Sequence, residues 1–153
     1  MKFVGKTILS CYNSIDKIIV QIENVIRKKA SNSVFDFSST EKQAEKILQL
    51  VEIRKDLFEL KIICEKAFSK LSEFDKTLIR YKYFKILPDD ENFDLKSRTY
   101  FRKQIKALDS FNKILISLGY DEYWFNKKYL KIAYIASAYQ KAVLEDGKKH
   151  TAD

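Results

Sequence analysis

Along the first 29 residues apolar side chains return at alternating steps of four and three: Val4, Ile8, Cys11, Ile15, Ile18, Ile22 and Val25, with Lys, Asp, Asn and Gln between them. That spacing is a heptad seam, which draws one apolar stripe along a helix and offers none of the strict alternation a strand needs. Leu9, Tyr12, Ile19 and Ile26 widen the stripe, so this helix has to cover more than one neighbour. Helix breakers are scarce, with 3 Gly and 1 Pro in 153 residues. An all-α fold of long helices follows. The first should end near Lys29, where Arg27, Lys28 and Lys29 meet the negative end of its dipole ahead of a polar stretch, 30–39.

Thr40 followed by Gln43 has the form of a capping box, and Glu41 suits the positive end of the helix it would open. The seam of that second helix reads Leu50, Ile53, Leu57, Leu60, Cys64, Ala67 and Leu71, with Leu48, Val51, Phe58 and Ile62 as an adjoining row. Each helix would be roughly 40 to 45 Å long at about 1.5 Å per residue, and a linker around Phe35 would return the chain as a long antiparallel helical hairpin. The surplus row would face either the rest of the chain or a second copy, so a homodimer is one expected assembly. Ser72 with Asp75 signals another N-cap, before a short helix carrying Phe74, Leu78, Ile79, Tyr81, Tyr83 and Phe84 that Pro88 would stop. The acidic stretch 89–94 is too short and polar for more than one turn around Glu91. Ser97 would cap a helix running to Leu118 and ended by Gly119. From Asp121 to about Leu144 the spacing of Phe125, Tyr129, Ile132, Ala133, Ala136, Tyr139 and Val143 describes one last helix, with a loose tail after it.

Cys11 and Cys64 each sit among apolar neighbours at helical spacing with no second Cys or His near in sequence, which reads as two buried reduced thiols, with a disulfide between helices as the alternative. The amino-terminal stretch is broken by Lys2, Lys6, Asp16 and Lys17 and has no small-residue cleavage site, so secretion is not expected. No apolar run approaches the roughly 18 residues of a membrane span. A cytoplasmic protein with no membrane partner is expected. Its net charge of +8 raises the case for a polyanionic partner, since Lys and Arg gain affinity by displacing counterions from phosphates.

The stretch 71–115, LSEFDKTLIRYKYFKILPDDENFDLKSRTYFRKQIKALDSFNKIL, narrows that partner. It opens on Leu71, Ser72 and Glu73, closes its first helix on Tyr83 and Phe84, and restarts on Ser97, Arg98 and Thr99. In this it resembles the promoter-reading helix-turn-helix of region 4 in sigma-70-type sigma factors, and the related ArpU-like late-gene activators of phages. That family places core residues four, eight and eleven positions after the restart, which here are Phe101, Ile105 and Leu108. The preceding hairpin with its Ser/Asn-rich linker is also similar to the amino-terminal half of the phage proteins, so the resemblance covers roughly 15–115. Taken with the periodicity above, the expected organisation is a helical hairpin over 1–71, a helix-turn-helix-like segment over 72–118, a C-terminal aromatic helix over 119–146 packed on the same core, and a flexible tail over 147–153, in one compact unit. The implied function is transcriptional regulation through duplex DNA, with RNA polymerase or another protein as a further partner.

The residues themselves support a DNA-facing surface. With Phe101, Ile105 and Leu108 inward, the opposite face of the helix offers Lys96, Arg98, Thr99, Arg102, Lys103 and Lys106, and no acidic residue precedes Asp109. A recognition helix enters the major groove with its first turns, where Arg reads guanine edges and phosphate contacts set the register. Arg98 and Arg102 fit base contact, while Lys96, Lys103 and Lys106 fit phosphate positioning. The plainer alternative is one more solvated helix face. The sequence departs from the family over 87–96, where Asp89, Asp90, Glu91, Asp94 and Pro88 replace the expected helix; carboxylates there would be repelled by phosphates. Either that element tilts away from DNA, or the chain is an all-helical interaction protein, a phage-encoded inhibitor or adaptor, that keeps only the outline of the fold.

Catalysis has little support. The single His, His150, lies in the tail without carboxylate neighbours, which argues against triads and histidine metal sites. Asp89 and Asp90 read as a solvated turn, and three isolated glycines do not make a phosphate loop. No enzyme, metal or cofactor is expected. The cluster Tyr120, Tyr123, Trp124, Phe125 and Tyr129 reads first as core packing and second as a platform for stacking bases.

Overall fold

Six α-helices and no strand are found among the described residues, 1–32, 40–89 and 98–151, of a computed structural model of the chain. They are α1 (Lys2–Asn32), α2 (Thr40–Ser69), α3 (Glu73–Phe84), α4 (Arg98–Ser117), α5 (Glu122–Tyr129) and α6 (Ala133–Thr151). Several expectations lie outside the described residues: the linker around Phe35, the turn at Glu91, the Ser97 cap and Lys96, together with the side chains of Thr40 and His150.

The helix ends follow local chemistry. Ser72, extended at φ −62 and ψ 155, accepts a hydrogen bond at its Oγ from the Asp75 N–H at 3.2 Å, while Glu73 and Asp75 sit in the first turn of α3. α3 stops before Pro88 is reached. Lys85 takes the left-handed conformation at φ 58, and the Ile86 N–H closes back on the Arg80 carbonyl at 3.1 Å. At the end of α4, Gly119 does the same at φ 89, with the Tyr120 N–H donating to the Leu115 carbonyl at 2.9 Å. Asp121 then caps α5, its Oδ1 accepting from the Trp124 N–H at 2.9 Å.

Contacts between α1 and α2 run antiparallel. The Tyr12 hydroxyl donates to Glu65 at 2.7 Å, Lys61 pairs with Asp16 at 2.8 Å, and Arg54 lies 3.7 Å from Glu23. As the α1 number rises, its α2 partner falls by the same amount, which is the register of a hairpin.

The chain forms two compact units, one of Met1–Asn13 with Ile63–Asp153, the other Ser14–Ile62. The first holds nearly all of the described core: Val4, Ile8, Leu9 and Cys11 of α1, Ile63, Cys64 and Ala67 of α2, Leu78 and Ile79 of α3, Phe111 and Leu115 of α4, Phe125 and Tyr129 of α5, and Ile135 of α6. In the second unit only Ile15, Leu57 and Leu60 are buried among the described hydrophobic side chains. The seam expected through Ile18, Ile22 and Val25 thus continues past the core, half-buried and then exposed.

Both cysteines are free and buried. Burial pushes the Cys11 thiol up to about 12; it raises that of Cys64 as well, with smaller contributions from the Glu65 charge and from Cys11. The single helix expected over Asp121 to Leu144 is two. No Gly or Pro separates Tyr129 from Ala133, so the break is imposed by packing: bent there, the chain buries Phe125 and Tyr129 from one arm and Ile135 and Ala142 from the other. The tail expected to be loose from Gly147 runs on as helix as far as Thr151. α6 is tied to α1 by Lys2–Asp146 at 2.9 Å and Lys6–Glu145 at 2.8 Å. Among the described residues no helix is long and apolar enough to cross a membrane.

Candidate nucleic-acid interface

α3 and α4 pack against each other. Their contact fixes the rotation of α4. Gln104 is buried, and its Nε2 donates to the Leu78 carbonyl at 2.6 Å and to the Tyr100 hydroxyl at 2.9 Å. The Tyr100 ring meets Tyr81 edge-on at 6.0 Å. The buried residues are therefore Tyr100, Gln104, Ala107, Phe111, Asn112 and Leu115.

This corrects the register expected from the sequence. Phe101 and Ile105 are 61% and 62% exposed, and Leu108 is half-buried. The helix is rotated by about one residue, roughly 100°, from the expected setting. Gln104 can go inside because its Nε2 bonds both to the Tyr100 hydroxyl and to a main-chain carbonyl, which offsets part of the cost of burial, while its Oε1 is buried without a hydrogen-bond partner among the described residues.

The basic residues nevertheless stay outside. Arg98, Thr99, Arg102, Lys103 and Lys106 are all exposed; Lys96 is outside the described residues. Among the described residues none of Arg98, Arg102, Lys103 or Lys106 enters an ion pair. Lys103 rests over the Phe74 ring of α3, 4.9 Å from its centroid, which holds its stem against the start of α3. Asp89, the one described residue of the acidic stretch, is exposed.

This charge arrangement runs against helix stability. The first turn of α4 has no acidic residue and its last turn no basic one. Cations at the positive end of a helix cost about 0.3 to 1 kcal/mol each. The same positive end suits an external anion. Sequence reasoning missed that Phe101 and Ile105 belong to this surface, where they interleave apolar contacts with the cations.

The aromatic cluster is mainly structural. Phe125 and Tyr129 are fully buried, Trp124 packs on Tyr129 at 5.0 Å and on Tyr120 at 4.7 Å, and Phe125 meets Tyr139 at 6.0 Å. Tyr123 alone of the five is exposed to a large extent. No group of three or more metal-ligating side chains occurs among the described residues. Comparisons with models of protein families, with curated proteins and with solved structures find no match to this chain.

Proposed function

We propose that the chain binds duplex DNA without catalysis, as a transcriptional regulator of the sigma-like or phage late-gene type, with α4 as the recognition helix and α3 as its support. One observation carries this reading: a cationic face at the positive end of α4 whose charges have no ion-pair partner among the described residues. Arg98 and Arg102 lie one turn apart and read base edges; Lys103 and Lys106 hold phosphates, with Lys96 extending the face in sequence. The exposed Phe101 and Ile105 supply apolar contact of the kind that thymine methyl groups accept. RNA polymerase or another protein would recruit the regulator.

The test compares the native chain with Arg98→Ala plus Arg102→Ala on mixed-sequence duplex DNA at two salt concentrations. A steep salt dependence and a loss of about 1 kcal/mol or more per arginine are expected. No binding at low salt, or equal binding by the variant, removes the reading.

A second reading is favoured by α2, where Leu48, Phe58 and Ile62 are 66%, 55% and 50% exposed on one row. On that reading the chain is a helical interaction protein, an inhibitor or adaptor that docks through the hairpin, and a second copy is the simplest occupant. It predicts that Phe58→Glu abolishes association while DNA binding is absent throughout.

A further inference from the structure

A second basic feature lies beside α4 and was not visible as a motif. Lys2 and Lys6 of α1, Lys82 of α3 and Lys149 of α6 converge on a groove of about 410 Å³, floored by Phe3, Leu108 and Ala142. Ile105 of α4 lines the same groove, three residues on from Arg102. The four lysines are not equivalent. Lys2 is paired with Asp146 and Lys6 with Glu145. Lys82 and Lys149 enter no ion pair among the described residues, and the remaining carboxylate of the groove, Asp109, is exposed.

The two unpaired ammonium groups repel one another. Partial burial lowers the pKa of Lys82 most, and the charges of Lys149, Lys6 and Lys85 lower it further against the opposing pull of Glu145. The Tyr83 ring, 5.3 Å from the Lys82 ammonium, and the Glu145 charge offset only part of this repulsion. An anion placed between the two ammonium groups would relieve the repulsion and be held from both sides.

We infer that this groove is a phosphate site, in which Lys82 and Lys149 hold one phosphodiester of duplex DNA beside the major groove that α4 enters. The inference rests on the reading of α4 given above. Along α4, Ile105 is only about 4.5 Å beyond Arg102 at 1.5 Å per residue. A strand flanking the recognition helix therefore passes the groove, and phosphates recur along each strand of a duplex at a comparable spacing. Lys2 and Lys6 remain engaged by their carboxylates and shape the wall.

The experiment titrates a fluorescent mixed-sequence duplex at about 50 and 200 mM salt. It uses the native chain, Lys82→Gln plus Lys149→Gln, Arg98→Ala plus Arg102→Ala, and a charge-matched control, Lys46→Gln plus Lys55→Gln, on α2. Neither groove lysine enters an ion pair among the described residues and glutamine keeps most of the side-chain stem, so the variant should keep the native fold. The groove variant is expected to lose about tenfold in affinity at low salt, and its log–log salt slope should fall by roughly 1, near 0.9 for the one phosphate contact removed. The control should match the native slope. A groove variant indistinguishable from the control overturns the inference while leaving α4 as the reading helix if the arginine variant still binds weakly. Where the native chain fails to bind duplex, α4 loses its role and inorganic phosphate becomes the probe. Millimolar phosphate that shifts the Lys82 and Lys149 ammonium resonances then keeps the phosphate site with free phosphate as its source, and unshifted resonances overturn it.

Discussion

At Gly5 the main chain of α1 lies against the side chain of Asn112 on α4. The Gly5 N–H donates to the Asn112 Oδ1 at 2.9 Å, a buried bond across 107 positions of sequence. It falls in the first turns of α1, where main-chain N–H groups are short of partners within the helix. Asn112 therefore acts as a cap supplied by another element, and the approach is close enough to require glycine. A Cβ at residue 5 would fall on the Asn112 amide and come within 3.2 Å of the Phe111 ring. Gly5→Ala is expected to destabilise the chain by about 2 kcal/mol, from overpacking and the lost hydrogen bond. Asn112→Ala alone should cost about 1 to 2 kcal/mol, because it strands a buried N–H. With both changes the clash is gone, so the double variant should be less destabilised than the two single costs together, by about 1 kcal/mol in urea denaturation. Strict additivity would show that the two residues do not act on each other.

α3 is bounded by two devices of opposite quality. Ser72 is a favourable cap, and Ser72→Ala should cost about 1 kcal/mol. Lys85 holds a left-handed conformation that costs an L-residue roughly 1 to 2 kcal/mol. Lys85→Gly should accordingly stabilise the fold, by several tenths to about 1 kcal/mol after the extra freedom of the unfolded glycine is counted. A glycine variant that melts at or below the native temperature would show that this conformation does not limit α3. Ser72 was legible because its signal is local; Lys85 was not, since nothing in its neighbours marks a left-handed residue. The same division runs through the other elements. The period of α1 and α2 showed directly, as did the stop at Gly119. The phase of α4 did not, because two stripes compete: Tyr100, Gln104, Ala107, Phe111 and Leu115, or Phe101, Ile105, Leu108, Asn112 and Leu115. Each contains one amide and both amides are buried, Asn112 through its bond from Gly5, so it is the partners of Gln104 and Tyr100 on α3 that turn Phe101 and Ile105 outward. The cationic residues survived the wrong phase because they occupy less than half of the helix circumference, on an arc that neither stripe enters. The lysines of the groove come from three separate segments, so no local pattern announces them.

At the scale of the whole chain, burial is divided unevenly. The unit of Met1–Asn13 with Ile63–Asp153 has its own densely filled core, whereas Ser14–Ile62 rests on Ile15, Leu57 and Leu60 and on the ion pairs Asp16–Lys61 and Glu23–Arg54. Exposed or half-exposed ion pairs of this kind contribute about 0 to 1 kcal/mol each, and two helices alone bury little apolar area. Local opening of the segment should therefore be easier than global unfolding. Amide hydrogen exchange at low protein concentration is expected to show protection at least about tenfold lower in 18–32 and 40–55 than in the buried turns of α4 and α5. Uniform protection along α1 would contradict the division, since that single helix contributes to both units. The concentration dependence carries the rest of the argument. Protection confined to the outer segment that rises with protein concentration would mean that a second copy covers the row of Leu48, Phe58 and Ile62, because association stabilises only what it contacts. Protection that stays low at every concentration means that no second copy covers that row, and the association reading of α2 falls with it.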